Sequence, residues 1–236
     1  EVEGGVEVPH GGDGAGNFAE RREAGQGHEW IIMQAMAVTT LPYGQTAVSR
    51  RMTLEEFRDL PEGPPNYEFE DGEVIEMVSP HGRHQDVLLA LGAELRAHII
   101  KNKLGKLWLE IDVHLSDVRR VFIPDLVFLA ADHLDRYSKD DGKIHGVPDL
   151  AIEVLSPSTK RRDRTTKKNV YEQAGVAWYW MVDADDLTIE ECKLTPEGYL
   201  ITQSVPPGQP YAPKLFAGLS FNLAELMGEE IKAGDA

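Results

Sequence analysis

The chain has 236 residues, 42% of them apolar and 27% charged, with a net charge of −16 and one cysteine, Cys192. That length and balance suit one globular domain with a sizeable core. The acidity argues against indiscriminate binding to nucleic acid, a lone cysteine excludes an intrachain disulfide and a Cys-based zinc site, and no run approaches the ~18 apolar residues of a membrane span.

Residues 1 to about 35 are rich in Gly and carry seven acids against two arginines, with no sustained apolar period. Such a segment is expected to be disordered, and Met36 reads as a natural translation start. No signal-peptide pattern opens the chain, so a cytoplasmic setting is expected. The sequence divides into an N-terminal extension over 1–50 expected to be disordered, a domain over 51–228 and a flexible tail over 229–236. Deleting residues 1–35 is expected to leave melting temperature and activity unchanged. A large loss of either would show that the segment packs on the domain.

Thr53 followed by Glu55-Glu56-Phe57 predicts a capped short helix ending near Leu60, stopped by Pro61. Tyr67 to Val78, with Asp71-Gly72 at its centre, predicts a β-hairpin. His84 to Lys101 places Val87, Leu88, Leu91, Leu95 and Ile99 at helical spacing. Strands are predicted at Leu107–Leu115, Val121–Leu129 and Leu150–Leu155, the last two too apolar to have an open face. Residues 132–147 read as a polar loop. A helix follows over Arg161–Ala174, ended by Gly175. Trp178–Val182 is a further strand, Thr188–Leu194 and Tyr199–Val205 a terminal hairpin, and Leu223–Met227 at most a short helix. This order of elements predicts an α/β fold of α+β type with a mixed central sheet and flanking hairpins.

Glu153 is the most informative residue. It sits inside the apolar run Leu150–Leu155, where a carboxylate is costly unless it is paired or holds a metal. Asp125 repeats the arrangement in Val121–Leu129. Strand alternation puts Asp125, Val127 and Leu129 on one face, and Ala151, Glu153 and Leu155 on one face. If the two strands are neighbours, the carboxylates converge on one cation. Mg²⁺ or Mn²⁺ suits such a hard, sparse set, with two carboxylates, a backbone carbonyl (Val154) and waters. Lys167, with Tyr171 one turn later, can orient an attacking water or offset phosphate charge. Between Lys160 and Lys168 lie six basic residues, of which Arg161, Arg162 and Lys168 are candidate phosphate contacts, as is His84 at a helix start.

The ordered set Pro124-Asp125, Glu153-Val154-Leu155-Ser156-Pro157-Ser158-Thr159, Asp163 with Lys167 and Tyr171, and Tyr179-Trp180-Met181-Val182-Asp183 resembles the Uma-two family. These are restriction-endonuclease-like proteins of the PD-(D/E)XK nuclease superfamily. Tyr67-Glu68-Phe69-Glu70-Asp71-Gly72-Glu73 resembles that family's N-terminal hairpin, and the likeness runs from about Met52 to Leu226. The resemblance implies a restriction-endonuclease-like core and Mg²⁺- or Mn²⁺-dependent hydrolysis of DNA by metal-activated water. It also implies Asp125 and Glu153 as metal ligands, Lys167 as the catalytic lysine and Glu68 as a further acidic site residue. Leu155 departs from the superfamily pattern, which has lysine there. The resemblance implies that the lysine comes instead from the next helix, where Lys167 fits better than Lys168.

Other readings stay open. Glu153 and Lys167 form a buried structural ion pair in one of them, Asp125 only caps a turn, and Trp178 to Trp180 are core rather than a base-stacking platform. His81 and His84 have metal-like spacing without a third ligand. A non-catalytic nucleic-acid-binding or regulatory protein on the same scaffold is the rival function. The sequence leaves a homodimer open.

Overall fold

The computed structural model describes residues 37–40, 46–49, 51–61, 63–77 and 79–229. The expectations for residues 1–35 and for 230–236 lie outside the described residues. Strands β1 (Ala37–Thr40) and β2 (Thr46–Ser49) pair antiparallel, so β-structure begins ahead of Arg51, where the sequence predicts the fold to start. Both segments carry the β-branched Val and Thr that favour extended chain.

Helix α1 (Leu54–Arg58) starts as predicted. The Thr53 side chain accepts from the Glu56 N–H while Glu56 reaches back to the Thr53 N–H, which satisfies two of the helix's orphan donors. The hairpin β3 (Tyr67–Glu70) and β4 (Glu73–Glu76) turns at Asp71-Gly72, with φ of 49° and 96°. Helix α2 (Gly82–Asn102) follows and is the longest helix described.

Two of the predicted strands are each divided. The stretch 107–115 splits into β5 (Gly105–Leu109) and β6 (Val113–Leu115), because Glu110 takes a left-handed φ of 46° at the corner. The stretch 121–129 splits into β7 (Arg120–Phe122) and β8 (Leu126–Ala130) across Pro124, which has no N–H for a ladder. The predicted polar loop 132–147 holds a 3-10 turn at Ala131–Arg136 and a short strand, β9 (Ile144–His145).

After β10 (Leu150–Leu155) comes α3, formed by helical segments Lys160–Arg162 and Lys168–Ala174 around a π-helical turn at Asp163–Lys167. Gly175, at φ 85°, caps it in the left-handed conformation. β11 (Trp178–Asp183), the hairpin β12 (Ile189–Thr195) and β13 (Gly198–Val205), and α4 (Leu223–Leu226) complete the order.

The central sheet runs β13-β12-β11-β10-β8-β5, with β10 and β11 parallel and the other neighbours antiparallel. A second sheet runs β4-β3-β7-β6-β9. The inner strands β8, β10 and β11 of the central sheet are buried on both faces, which explains their near-continuous apolar runs. On one side Leu88, Leu91, Leu95 and Ile99 of α2 pack on Leu126, Phe128, Ile152, Val154 and Trp180. On the other, Val127, Leu129, Ala151 and Leu155 meet Phe122, Tyr171 and Tyr179. Trp178, Tyr179 and Trp180 are thus core, and base stacking is not their role here.

Candidate active site

Asp125 and Glu153 come together because β8 and β10 are antiparallel neighbours. Leu126 faces Ile152, so the next pair along the ladder is Asp125 and Glu153. The predicted face is the observed one: their flanking residues Val127, Leu129, Ala151 and Leu155 all point to the β7–α3 side. Asp125 stands just before β8 rather than within a strand. Its Oδ2 accepts from the Val154 N–H at 2.6 Å, and its Oδ1 lies 3.2 Å from His84 Nε2. Both oxygens of Asp125 are therefore oriented, one by a backbone group and one by an imidazole.

Glu153 is buried, and its Oε1 accepts from Lys167 Nζ at 2.9 Å and from the Tyr171 hydroxyl at 3.0 Å. Lys167, not Lys168, is the lysine at the site. The π-helical turn sets that register. Its Asp163 carbonyl accepts from the Lys168 N–H, five residues on, and from the Tyr179 hydroxyl at 3.0 Å. A π turn of this kind departs from regular helix and is frequent at functional sites. It buries Asp163 and Lys167 on one side, with 3.9 Å between Oδ1 and Nζ.

Glu68 approaches from behind. Its Oε1 accepts from the Ile123 N–H at 2.9 Å and lies 3.0 Å from Lys167 Nζ, while Oε2 lies 2.5 Å from Arg162 Nη2. Arg162 also pairs with Glu70. Glu68 is wholly buried and does not line the cleft, so it holds Lys167 and Arg162 in place rather than facing an incoming ligand.

The cleft has a volume of about 660 Å³, and its walls include His84, Asp125, Glu153, Asp163, Arg162 and Lys167. Of the four candidate phosphate contacts, His84 and Arg162 reach it, whereas Arg161 and Lys168 do not. Neighbouring helix positions point ~100° apart, so Arg162 and Lys167 turn inward while Arg161 and Lys168 turn away. Arg162 is already committed to Glu68 and Glu70. The rest of the basic run is also largely paired: Lys160 with Asp183 and Arg164 with Glu190, both at 2.5 Å. The cluster ties α3 to acids of the sheets more than it offers free cations.

The electrostatics are those of a site short of positive charge. Burial, together with Asp163, Asp125 and Glu68, pushes the Glu153 carboxyl well above the usual range despite Lys167. Burial lifts Asp163 to about 6, with Asp125 adding to the rise and Lys167 opposing it. Burial also works against the charge of Glu68, but Lys167, Arg162 and the Ile123 N–H outweigh it and hold that carboxyl low. Burial works against the Lys167 ammonium too, yet Glu153, Glu68 and Asp163 prevail and raise it.

Asp125 and Glu153 therefore suit a cation. Carboxylates crowded beyond their two basic partners favour a divalent ion near Asp125 and Glu153. Among the described residues no group of three or more His, Cys, Asp or Glu side chains is disposed to hold a metal. An ion held by Asp125 and Glu153 would have to keep most of its waters, as Mg²⁺ does.

A pH dependence follows. In the metal-free protein Glu153 and Asp163 have folded values above their unfolded ones, so the folded state holds more protons between the two. Stability is then expected to fall as pH rises from 3.8 through about 6 on account of Asp163. Glu68, held low, works oppositely and loses its contribution only in more acid solution. A cation competes with the proton on Glu153, so the rise in melting temperature on adding Mg²⁺ is expected to be larger at pH ~8 than at pH ~5. Melts in EDTA and in Mg²⁺ across that range check this, and a pH-independent metal effect would contradict it.

Asp163 is the site residue that sequence reasoning left without a role. Its spacing of four from Lys167 was the available signal.

The fold and the buried charged cluster define an α/β protein of the restriction-endonuclease-like class. Residues 54–224 match the Uma2 (Uma-two) family, described as "Putative restriction endonuclease", and the chain belongs to that family. Among solved structures it is similar to "a putative nuclease belonging to DUF820" from Anabaena variabilis. The TM-score is 0.61 at 20% identity, over 75% of this chain and 98% of the other. At that identity the likeness concerns the fold. No curated protein matches the chain.

Proposed function

We propose that the protein is a Mg²⁺- or Mn²⁺-dependent endonuclease that hydrolyses phosphodiester bonds of DNA. The observation that carries this reading is the meeting of Asp125, Glu153 and Lys167 in one cleft, in a member of a family described as restriction endonucleases. Asp125, Glu153 and the Val154 carbonyl are the groups that would hold the cation. Bound there, it supplies a Lewis acid for a phosphoryl oxygen and for the attacking water.

The chain's own groups do the rest. Lys167 keeps its charge because three carboxylates surround it, so it is placed to orient the water and offset charge on the phosphate. Glu68 fixes the Lys167 ammonium from behind, and Tyr171 fixes Glu153. His84, against Asp125, limits that carboxylate's rotation. Hydrolysis breaks the P–O3′ bond, leaving 5′-phosphate and 3′-hydroxyl ends.

Incubation of supercoiled plasmid with the protein in Mg²⁺, Mn²⁺ or EDTA tests the proposal. Nicked or linear product that appears only with the divalent ion, and that ligase can reseal, is expected. An absence of cleavage in all three conditions, with DNA binding retained, would favour the non-catalytic reading. No helix among the described residues is long and apolar enough to cross a membrane.

A further inference from the structure

The cleft has a half that the proposed chemistry does not use. In the hairpin β3–β4, Phe69 and Val74 pack inward with Phe57. Alternation then turns Glu68 and Ile75, which pair across the ladder, toward the site. Met77, whose N–H donates to the Asn66 carbonyl at 2.8 Å, continues that face. Ile75 and Met77 are half-buried, and with the exposed Pro65 and Pro80 they form an apolar wall in the same cleft as Asp125 and Glu153.

The charges of the cleft suit few phosphates. Besides the site carboxylates, Glu76 and Glu110 line it. The cations on its wall, Arg162 and Lys167, are held by Glu68, Glu70 and Glu153, and His84 leans on Asp125. His81 stands exposed at the rim. A duplex is gripped chiefly through Lys and Arg on its phosphates, and a chain of net charge −16 with such a cleft offers little of that. Apolar side chains instead bind the face of a base, which a paired and stacked strand keeps hidden. A smaller hollow of about 260 Å³ opens beside the cleft and shares Pro65, Asn66, Glu110 and Ile123 with it. Tyr67 and the exposed Arg58 stand on its wall, so a neighbouring nucleotide has a ring to stack on and a guanidinium for its phosphate.

We propose that the cleft receives an unpaired strand of DNA, with one base lying on Pro65, Ile75, Met77 and Pro80 while its phosphate lies toward Lys167. This deepens the nuclease reading and rests on it for the class of ligand. Single strands, flaps and bubbles are then the substrates. A fully paired duplex is refused until a base leaves the stack.

Fluorescence anisotropy tests the binding apart from the cleavage. The probe is a labelled oligonucleotide, single-stranded or annealed to its complement, titrated with the full chain carrying Glu153→Gln in Mg²⁺. The single strand should bind at least about tenfold tighter than the duplex, with a log K against log salt slope shallower than about −2, as for two or three phosphate contacts. Met77→Gln and Ile75→Thr, each added to that chain, should weaken single-strand binding by about tenfold while melting like their parent. With wild type in Mn²⁺, a single strand or a bubble should be cut at least about tenfold faster than the paired duplex. Equal binding or cutting of the duplex would overturn the proposal and leave the nuclease reading standing. Indifference of single-strand binding to both wall variants, or binding of neither form, would also overturn it. Single-strand binding that needs the wall, with cleavage of no substrate, would uphold the proposed ligand and sink the nuclease reading instead.

Discussion

Lys167→Met is expected to destabilise the metal-free protein by roughly 3–5 kcal/mol, the usual cost of removing one partner from a buried ion cluster. Lys167 Nζ is within 3.0 Å of both Glu68 and Glu153, and within 3.9 Å of Asp163. Removing it leaves those three carboxylates buried, with Arg162 still paired to Glu68 and the Tyr171 hydroxyl still on Glu153. The loss should shrink in acid solution, where Glu153 and Asp163 take up protons, and should be reduced in the Lys167→Met/Glu153→Gln double variant. Urea melts at two pH values measure both effects. A loss under ~1 kcal/mol would mean the lysine is solvated in a way its burial contradicts.

Glu153→Gln is expected to do the opposite to stability and to abolish activity. Burial and three like charges already oppose ionisation of Glu153, while Lys167 keeps Glu68 as a partner. The metal-free variant should therefore melt within ~1 kcal/mol of wild type or above it. It should lose the metal-induced rise in melting temperature, and cleavage should fall by ~10²-fold or more. If Glu153 were only the structural partner of Lys167, its neutralisation would instead cost several kcal/mol, and wild-type melting would be indifferent to Mg²⁺. Paired melts of the two proteins with and without the ion separate these cases.

Much of the site was legible in the sequence because it rests on local rules. The alternation of β8 and β10 put Asp125 and Glu153 on matching faces, and the family resemblance pointed to Lys167. What the sequence hid depends on distant partners. Pro124 marks the break between β7 and β8, but the partner of the Ile123 N–H there is Glu68, 55 positions away in the chain. The corner at Glu110 is fixed by its N–H donating to the Asp125 carbonyl at 3.1 Å. The basic run after β10 reads as a phosphate surface until the acids facing it (Glu68, Glu70, Asp183 and Glu190) are placed by the sheets.

A buried carboxylate in an apolar strand is also a weaker sign than it first looks. Glu191 in β12 is equally buried, yet it accepts from the Tyr211 hydroxyl at 2.9 Å, Thr202 Oγ1 at 2.5 Å and the Lys214 N–H at 3.1 Å. It anchors the segment after β13. Glu153 differs in its company. Asp125, Asp163 and Glu68 surround it with like charge, and among the described residues Lys167 and the Tyr171 hydroxyl answer it. That difference lies in tertiary contacts and could not be read from either strand alone.

We propose that Asp125 and Glu153 together hold one divalent cation. Calorimetric titration of Mn²⁺ into wild type, Asp125→Asn and Glu153→Gln tests it most directly. One site per chain is expected in wild type, with proton release on binding, and loss of that site in both variants while each still melts cooperatively. Undiminished Mn²⁺ binding in either variant, or no binding in wild type, would contradict it.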